Sequence, residues 1–278
     1  MIDLELSNQE FNHLRTLIYQ KSGIYLHNGK KDLVRARLRK RLYETGVKNF
    51  SEYYNFLISK VNEEELISFL NAISTNHTGF FREEKHFDYL EKEIIPFYKK
   101  NRTKLDLNTL KIWSAGCSSG EEAYSIAISV SEATCSDTDF KIKILASDLS
   151  TKMLSMAMDG VYPKNNVSNI PENILKKYFQ KGRGACNDYV RIKSSLKQII
   201  EFRHLNLMEL FQFNDKFNII FCRNVMIYFD KIAQEKLVSK LYDALYDKGY
   251  LFIGHSESLM GIKHKFKYTR PTIYLKNP

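Results

Sequence analysis

The 278-residue sequence is short of the residues that interrupt, staple or anchor a chain. With 5 prolines and 12 glycines against 44% hydrophobic and 27% charged residues, it is neither disordered nor of low complexity, and it can bury a sizeable core. No apolar run reaches the roughly 20 residues that a bilayer span requires. The best candidate, residues 217–229, is broken by Arg223 and Asn224. The opening residues show no basic region followed by an apolar stretch, so no export signal is expected. Cys117, Cys135, Cys186 and Cys222 include no C-x-x-C pair, and there is no H-E-x-x-H helix. That excludes the usual structural zinc spacings and predicts no metal. The cysteines read as reduced, small buried side chains of a cytoplasmic protein.

Basic charge is what the chain has in excess: 42 Lys and Arg against 32 Asp and Glu give +10. An acidic partner is implied, whether protein, nucleic acid or anionic membrane surface. The pattern of apolar residues divides the chain. Ser7 and Glu10 form a capping box ahead of Phe11, Leu14 and Ile18 at helical spacing. A second helix is predicted over about 31–44 on Val34, Leu38 and Leu42, a third capped by Ser51, and a fourth capped by Asn62 with Glu65. Strand patterns begin only near residue 109, so residues 1–74 read as a helical N-terminal domain and 75–278 as a second domain.

In the second part, strand-like runs at 110–115, 141–147, 199–202, 217–222, 249–253 and 272–275 alternate with helical stretches. Those stretches start at Glu121, Ser150, Pro171 and Asp230, the last expected to end on Gly249 as a C-cap. Alternation of this kind predicts an α/β fold with a doubly wound, Rossmann-like parallel sheet. Residues 179–193 fit it poorly and read as a small antiparallel β insertion.

The first strand runs into Gly116-Cys-Ser-Ser-Gly120 and then a helix, and the next strand ends on Asp148. This opens a nucleotide-binding fold, with glycines for close approach and an acid for ribose hydroxyls. Neither G-x-G-x-x-G nor G-x-x-x-x-G-K-[ST] is present, which favours a nucleoside without a pyrophosphate, such as S-adenosylmethionine. The same loop also spells the esterase G-x-S-x-G, with Ser118, Asp148 and His255 in triad order. It follows the first strand of its sheet, however, and no upstream glycine-rich loop supplies an oxyanion hole, so the esterase reading ranks low.

Five stretches in order are more specific: Thr75-Asn-His-Thr-Gly-Phe-Phe-Arg-Glu83, Trp113-Ser-Ala-Gly-Cys-Ser-Ser-Gly-Glu-Glu122, Ala146-Ser-Asp148, Phe221-Cys-Arg-Asn-Val-Met-Ile-Tyr-Phe-Asp230 and Gly254-His-Ser-Glu257. Through them the chain resembles the bacterial chemotaxis receptor methyltransferases, which use S-adenosylmethionine to methylate glutamate side chains of chemoreceptors. The resemblance implies a class I methyltransferase sheet behind a small helical domain. It places Arg82 and Tyr228 nearest the transferred methyl. It gives cofactor contacts to Asn76, Thr78, Arg82, Glu122, Asp148, Asn206, Leu207, Arg223 and Asn224, and reads His255 and Glu257 as structural.

Residues 30–41 hold seven basic residues (Lys30, Lys31, Arg35, Arg37, Arg39, Lys40, Arg41) and one acid, Asp32. By resemblance, Arg35, Arg37, Arg39 and Arg41 form a docking face for the acidic helical bundle of a receptor. Phosphate tracking by this helix ranks lower, since no stacking aromatics or helix-turn-helix accompany it, and no nucleic-acid partner is expected. Some family members dock a receptor C-terminal peptide on the β insertion, and the tight turns at Gly182 and Gly184 permit such an edge. A monomer is expected. A non-catalytic adaptor and a methyltransferase acting on RNA or a small molecule remain as alternatives.

Overall fold

Ser7 opens the first helix through the reciprocal bonds that its spacing from Glu10 predicts. Its hydroxyl accepts from Glu10 N at 3.2 Å, and Glu10 Oε2 accepts from Ser7 N at 2.8 Å. The computed structural model describes residues 5–59, 62–105, 109–134 and 140–277. Helices α1 (Asn8–Ser22), α2 (Lys31–Thr45), α3 (Phe50–Ile58) and α4 (Glu63–Ile73) enclose a core that includes Phe11, Leu14, Ile18, Val34, Leu38, Leu42, Phe50 and Phe69.

Two caps differ from expectation. Asn49, not Ser51, caps α3, its Oδ1 accepting from Glu52 N at 2.8 Å. Asn62 precedes α4 without capping it, because its amide donates backwards to Phe56 O and Ser59 Oγ. Glu65 is drawn instead to Arg41 and to the Tyr53 hydroxyl, 2.5 Å away.

After residues 75–84 the chain enters α5 (Lys85–Tyr89), which passes through a π-turn into α6 (Ile95–Lys100). The sheet then builds from β1 (Thr109–Ala115), α7 (Glu121–Thr134), β2 (Lys141–Asp148) and α8 (Thr151–Asp159). Strand β3 (Val161–Pro163), α9 (Glu172–Tyr178), β4 (Phe179–Lys181) and β5 (Tyr189–Ile192) follow, then α10 (Ser194–Lys197) and β6 (Ile200–His204). The chain finishes with β7 (Phe217–Cys222), α11 (Lys231–Ala244), β8 (Leu245–Ile253), β9 (Lys267–Arg270) and β10 (Ile273–Leu275).

The main sheet has the order β6-β2-β1-β7-β8-β10-β9, parallel from β6 to β8 and antiparallel at β10. This is the doubly wound α/β sheet that the alternation predicts. Every residue of β7 is buried, as a central parallel strand covered on both faces requires. One apolar layer packs α5–α7 against one face, and a second packs α11 with Trp113 against the other.

The antiparallel insertion is present as a separate sheet, β3-β5-β4. Its third member, β3, is too short to show a period in sequence. Helix α11 ends at Ala244, so Gly249 is not its C-cap: Leu245 already pairs with Phe217, and Gly249 lies within β8. The left-handed position in this region is taken by Lys248, with φ +64°. Cys117 and Cys222 are buried as expected, whereas Cys186 is exposed on the insertion; Cys135 lies outside the described residues. No helix among the described residues is long and apolar enough to cross a membrane.

Candidate active site

In sheet order β1 is flanked by β2 and β7, so the chain winds away from it in both directions. Such a switch point leaves a crevice at the strands' C-terminal ends. Here the crevice is a cleft of about 540 Å³, within the usual range for a nucleoside-sized ligand. Its walls include the 75–82 segment, the glycine loop, the ends of β2 and β7, and the start of α2.

The glycine loop turns through three left-handed residues, Gly116 (φ +84°), Ser118 (φ +50°) and Gly120 (φ +97°). A Cβ on Gly116 would stand 2.5 Å from Val225 Cγ2, so a larger residue there would require the valine side chain to shift. Asp148, at the end of β2, organises the turn. Its Oδ2 accepts from Ser118 N and its Oδ1 from Ser150 N, both at 2.8 Å. Burial pushes its carboxyl above the usual range, and these N–H groups pull the other way. Ser118 Oγ donates to Asn76 O at 3.3 Å, while the His255 ring packs against His86. The three esterase candidates therefore form no triad.

Arg82 sits between two non-glycine residues in the left-handed region, Phe81 (φ +52°) and Glu83 (φ +61°). Such strain persists only where the surroundings impose it. Arg82 Nη1 donates to His77 O at 2.9 Å, and the side chain lines the cleft rather than pairing with Glu83 or Glu84. Glu83 instead accepts from Arg223 Nη2 at 2.8 Å, from His255 N at 3.0 Å and from Asn224 Nδ2 at 3.4 Å. Burial raises its carboxyl, but Arg223 and the His255 N–H outweigh this and hold it below the usual range.

Arg223, 5% exposed, also reaches Glu122 Oε2 at 3.2 Å and the Arg82 carbonyl. Glu122 Oε1 accepts from Ser114 Oγ at 2.7 Å, and burial raises its carboxyl above the ordinary value. Glu257 closes the site from behind. Its carboxylate accepts from Gly254 N (2.6 Å), Met226 N (2.7 Å), Asn224 N (2.9 Å) and Ile227 N (3.3 Å), shaping the loop that carries Tyr228.

All ten candidates from the main motifs line this one cleft: Asn76, Thr78, Arg82, Glu122, Asp148, Asn206, Leu207, Arg223, Asn224 and Tyr228. They differ in what they have free. Arg223 is a buried hub. Asn206 commits its amide to Lys21 O (2.6 Å) and Glu209 Oε1 (3.0 Å), and its oxygen accepts from Met208 N at 3.0 Å in an Asx turn.

The basic helix divides in the same way. Arg37 donates to the Ile73 and Ser74 carbonyls and to Thr75 Oγ1, and Arg41 pairs with Glu65 and Glu44. Arg35 is half exposed beside Glu5 and Asp32, and Arg39 faces solvent.

Pattern reading missed a strap across the cleft from the helical region. Tyr25 N donates to Tyr228 O at 2.8 Å, and Tyr19 Oη donates to Asp230 Oδ2 at 2.9 Å. Gly23, at φ +74°, makes room for Met208 against this turn. The partners lie some 200 residues apart, and no local pattern signals them.

An acid at the end of β2, a glycine turn without a phosphate cradle and a cleft at the switch point of a doubly wound sheet fit S-adenosylmethionine. Together they are compatible with an S-adenosylmethionine-dependent methyltransferase. Comparison with known proteins narrows the class: residues 76–275 match the CheR methyltransferase, SAM binding domain, and residues 9–74 the CheR methyltransferase, all-alpha domain. The chain belongs to the CheR methyltransferase family. It is 41% identical to the chemotaxis protein methyltransferase of Borreliella burgdorferi, over 99% of this chain and 97% of the relative. It is 37% identical to chemotaxis protein methyltransferase 2 of Pseudomonas aeruginosa (98% and 94% covered) and 37% identical to the chemotaxis protein methyltransferase of Salmonella typhimurium (98% and 91% covered).

Proposed function

We propose that the protein transfers the methyl group of S-adenosylmethionine to glutamate side chains of chemoreceptors, leaving glutamate methyl esters and S-adenosylhomocysteine. The observation that carries this is the join between the basic helix and the cleft: Lys30, Leu33 and Arg37 line the same cavity as Arg82, Asp148 and Tyr228. An acidic helical substrate drawn to this basic helix is thereby brought beside the cofactor cleft.

The cofactor supplies a methyl group on a sulfonium. The acceptor carboxylate, with a reference pKa near 4.3, is already ionised at neutral pH and needs no general base. The chain's task is alignment, with reacting atoms held at roughly 3–3.5 Å, and exclusion of water. Asp148 takes the ribose hydroxyls. Arg82, steered by the His77 carbonyl, orients a carboxylate of cofactor or substrate. Tyr228, held by the Tyr25 strap, presents its ring and hydroxyl to the reacting centre. The free edges of the insertion, β3 and β4, offer backbone groups to a receptor C-terminal peptide.

The test is incubation with methyl-labelled cofactor and a receptor cytoplasmic bundle, followed by mild alkali. Label released as methanol marks a carboxyl ester and supports the reading. Label stable to alkali, or carried on RNA, overturns it.

A further inference from the structure

Behind Arg82, and outside the cleft lining, three ligating side chains converge. Glu83, His86 and His255 each place one ligand atom within 4.8 Å of the other two. His86 fixes the character of the group. It is 1% exposed, and its Nε2 lies 2.7 Å from Thr272 Oγ1. That hydroxyl also lies 2.6 Å from the Pro271 carbonyl, and when its hydrogen is given there it accepts from the imidazole. In that tautomer Nε2 carries the proton and Nδ1 presents a lone pair.

Nδ1 has no hydrogen-bond partner among the described residues and lies 3.5 Å from Glu83 Oε2. An acceptor pointed at a carboxylate oxygen in a buried site is unfavourable without a positive group between them.

The third group completes a ligand set. His255 Nε2 lies 4.0 Å from the same Glu83 oxygen, and its side chain is 48% exposed, opening the group to solvent. The two imidazole rings cross at 76° with centroids 4.9 Å apart. Ligands about 2.0 Å from a tetrahedral zinc ion stand about 3.3 Å from one another, so small side-chain shifts bring these atoms into range. Glu83 Oε2 also accepts from Arg223 Nη2 at 2.8 Å, so an ion would share this oxygen with the guanidinium.

We propose that Glu83, His86 and His255 bind one Zn²⁺ ion, with water in the fourth position, at a site adjoining the methyl-transfer cleft through Arg223. Two imidazoles and a carboxylate suit zinc, whereas magnesium and calcium prefer all-oxygen sites.

The test is competition for Zn²⁺ between the metal-free full-length protein and a chromophoric chelator. Wild type is expected to take up one ion per chain, and His86→Gln and His255→Ala each to weaken uptake at least tenfold. His255 is half exposed, so His255→Ala keeps the test open even if His86→Gln fails to fold; circular dichroism reports the fold of each. Co²⁺ in place of zinc should give the visible absorption of a tetrahedral site in wild type and not in His255→Ala. No uptake by folded wild type, or undiminished uptake in folded His255→Ala, overturns the proposal.

Discussion

Replacing Glu257 with glutamine changes one oxygen to an amide and leaves the shape intact, so it isolates what the carboxylate does. Oε2 accepts from Gly254 N and Asn224 N, and Oε1 from Met226 N and Ile227 N. Whichever way the amide turns, its NH₂ faces two backbone donors that then lose their acceptor. Glu257 is 8% exposed and Met226 2%, so water replaces little of the loss. At about 1–3 kcal/mol for each unsatisfied buried donor, the expected destabilisation is about 2–6 kcal/mol. Urea unfolding of wild type and Glu257→Gln measures it. The freed loop carries Tyr228, so kcat for methyl transfer should fall at least tenfold under conditions where the variant remains folded. A loss below about 0.5 kcal/mol with kcat unchanged would refute the claim that this carboxylate builds the Tyr228 loop.

Two further predictions follow from charge. The double reversal Arg35→Glu with Arg39→Glu should cut receptor methylation at least tenfold while leaving S-adenosylhomocysteine affinity unchanged; equal loss of both would place these residues in the fold rather than in docking. His86 is held neutral in the fold, with its pKa lowered from 6.5 to about 3. The unfolded chain therefore binds a proton in this window that the folded chain does not, and stability falls as pH drops from about 6.5 towards 3. Between pH 7 and 5 the His86 share is about 2 kcal/mol, read as the difference in urea stability between wild type and His86→Gln across the two pH values. Equal pH slopes in the two proteins would contradict it.

What the sequence revealed was what its own near neighbours dictate. The Ser7–Glu10 box, the stripe of α2 and the largely apolar β7 are local statements, and the structure keeps each of them. The glycine loop and Asp148 were legible because a strand, a turn and an acid recur at fixed offsets. Contacts between distant segments were not. Glu83 is next to Arg82 in sequence, yet it is claimed by Arg223, 140 residues away. Arg37 and Arg41 read as surface charge because nothing nearby showed that the Ile73 carbonyl and Glu65 would engage them. The Glu83, His86 and His255 group fell below notice for the same reason: Glu-x-x-His alone is uninformative, and the third member lies 169 residues from His86. Gly249 shows the converse error, a helix-ending signal overridden by sheet pairing at Leu245.

The measurement that bears most directly on the cleft as the cofactor site is a calorimetric titration with S-adenosylhomocysteine, which needs no receptor. Wild type should show one saturable site. Asp148→Ala, shown folded by circular dichroism, should bind at least tenfold more weakly, since charge-assisted bonds to the ribose are worth about 1.5–3 kcal/mol each. Absence of saturable binding by folded wild type, or unchanged affinity in Asp148→Ala, would contradict the assignment.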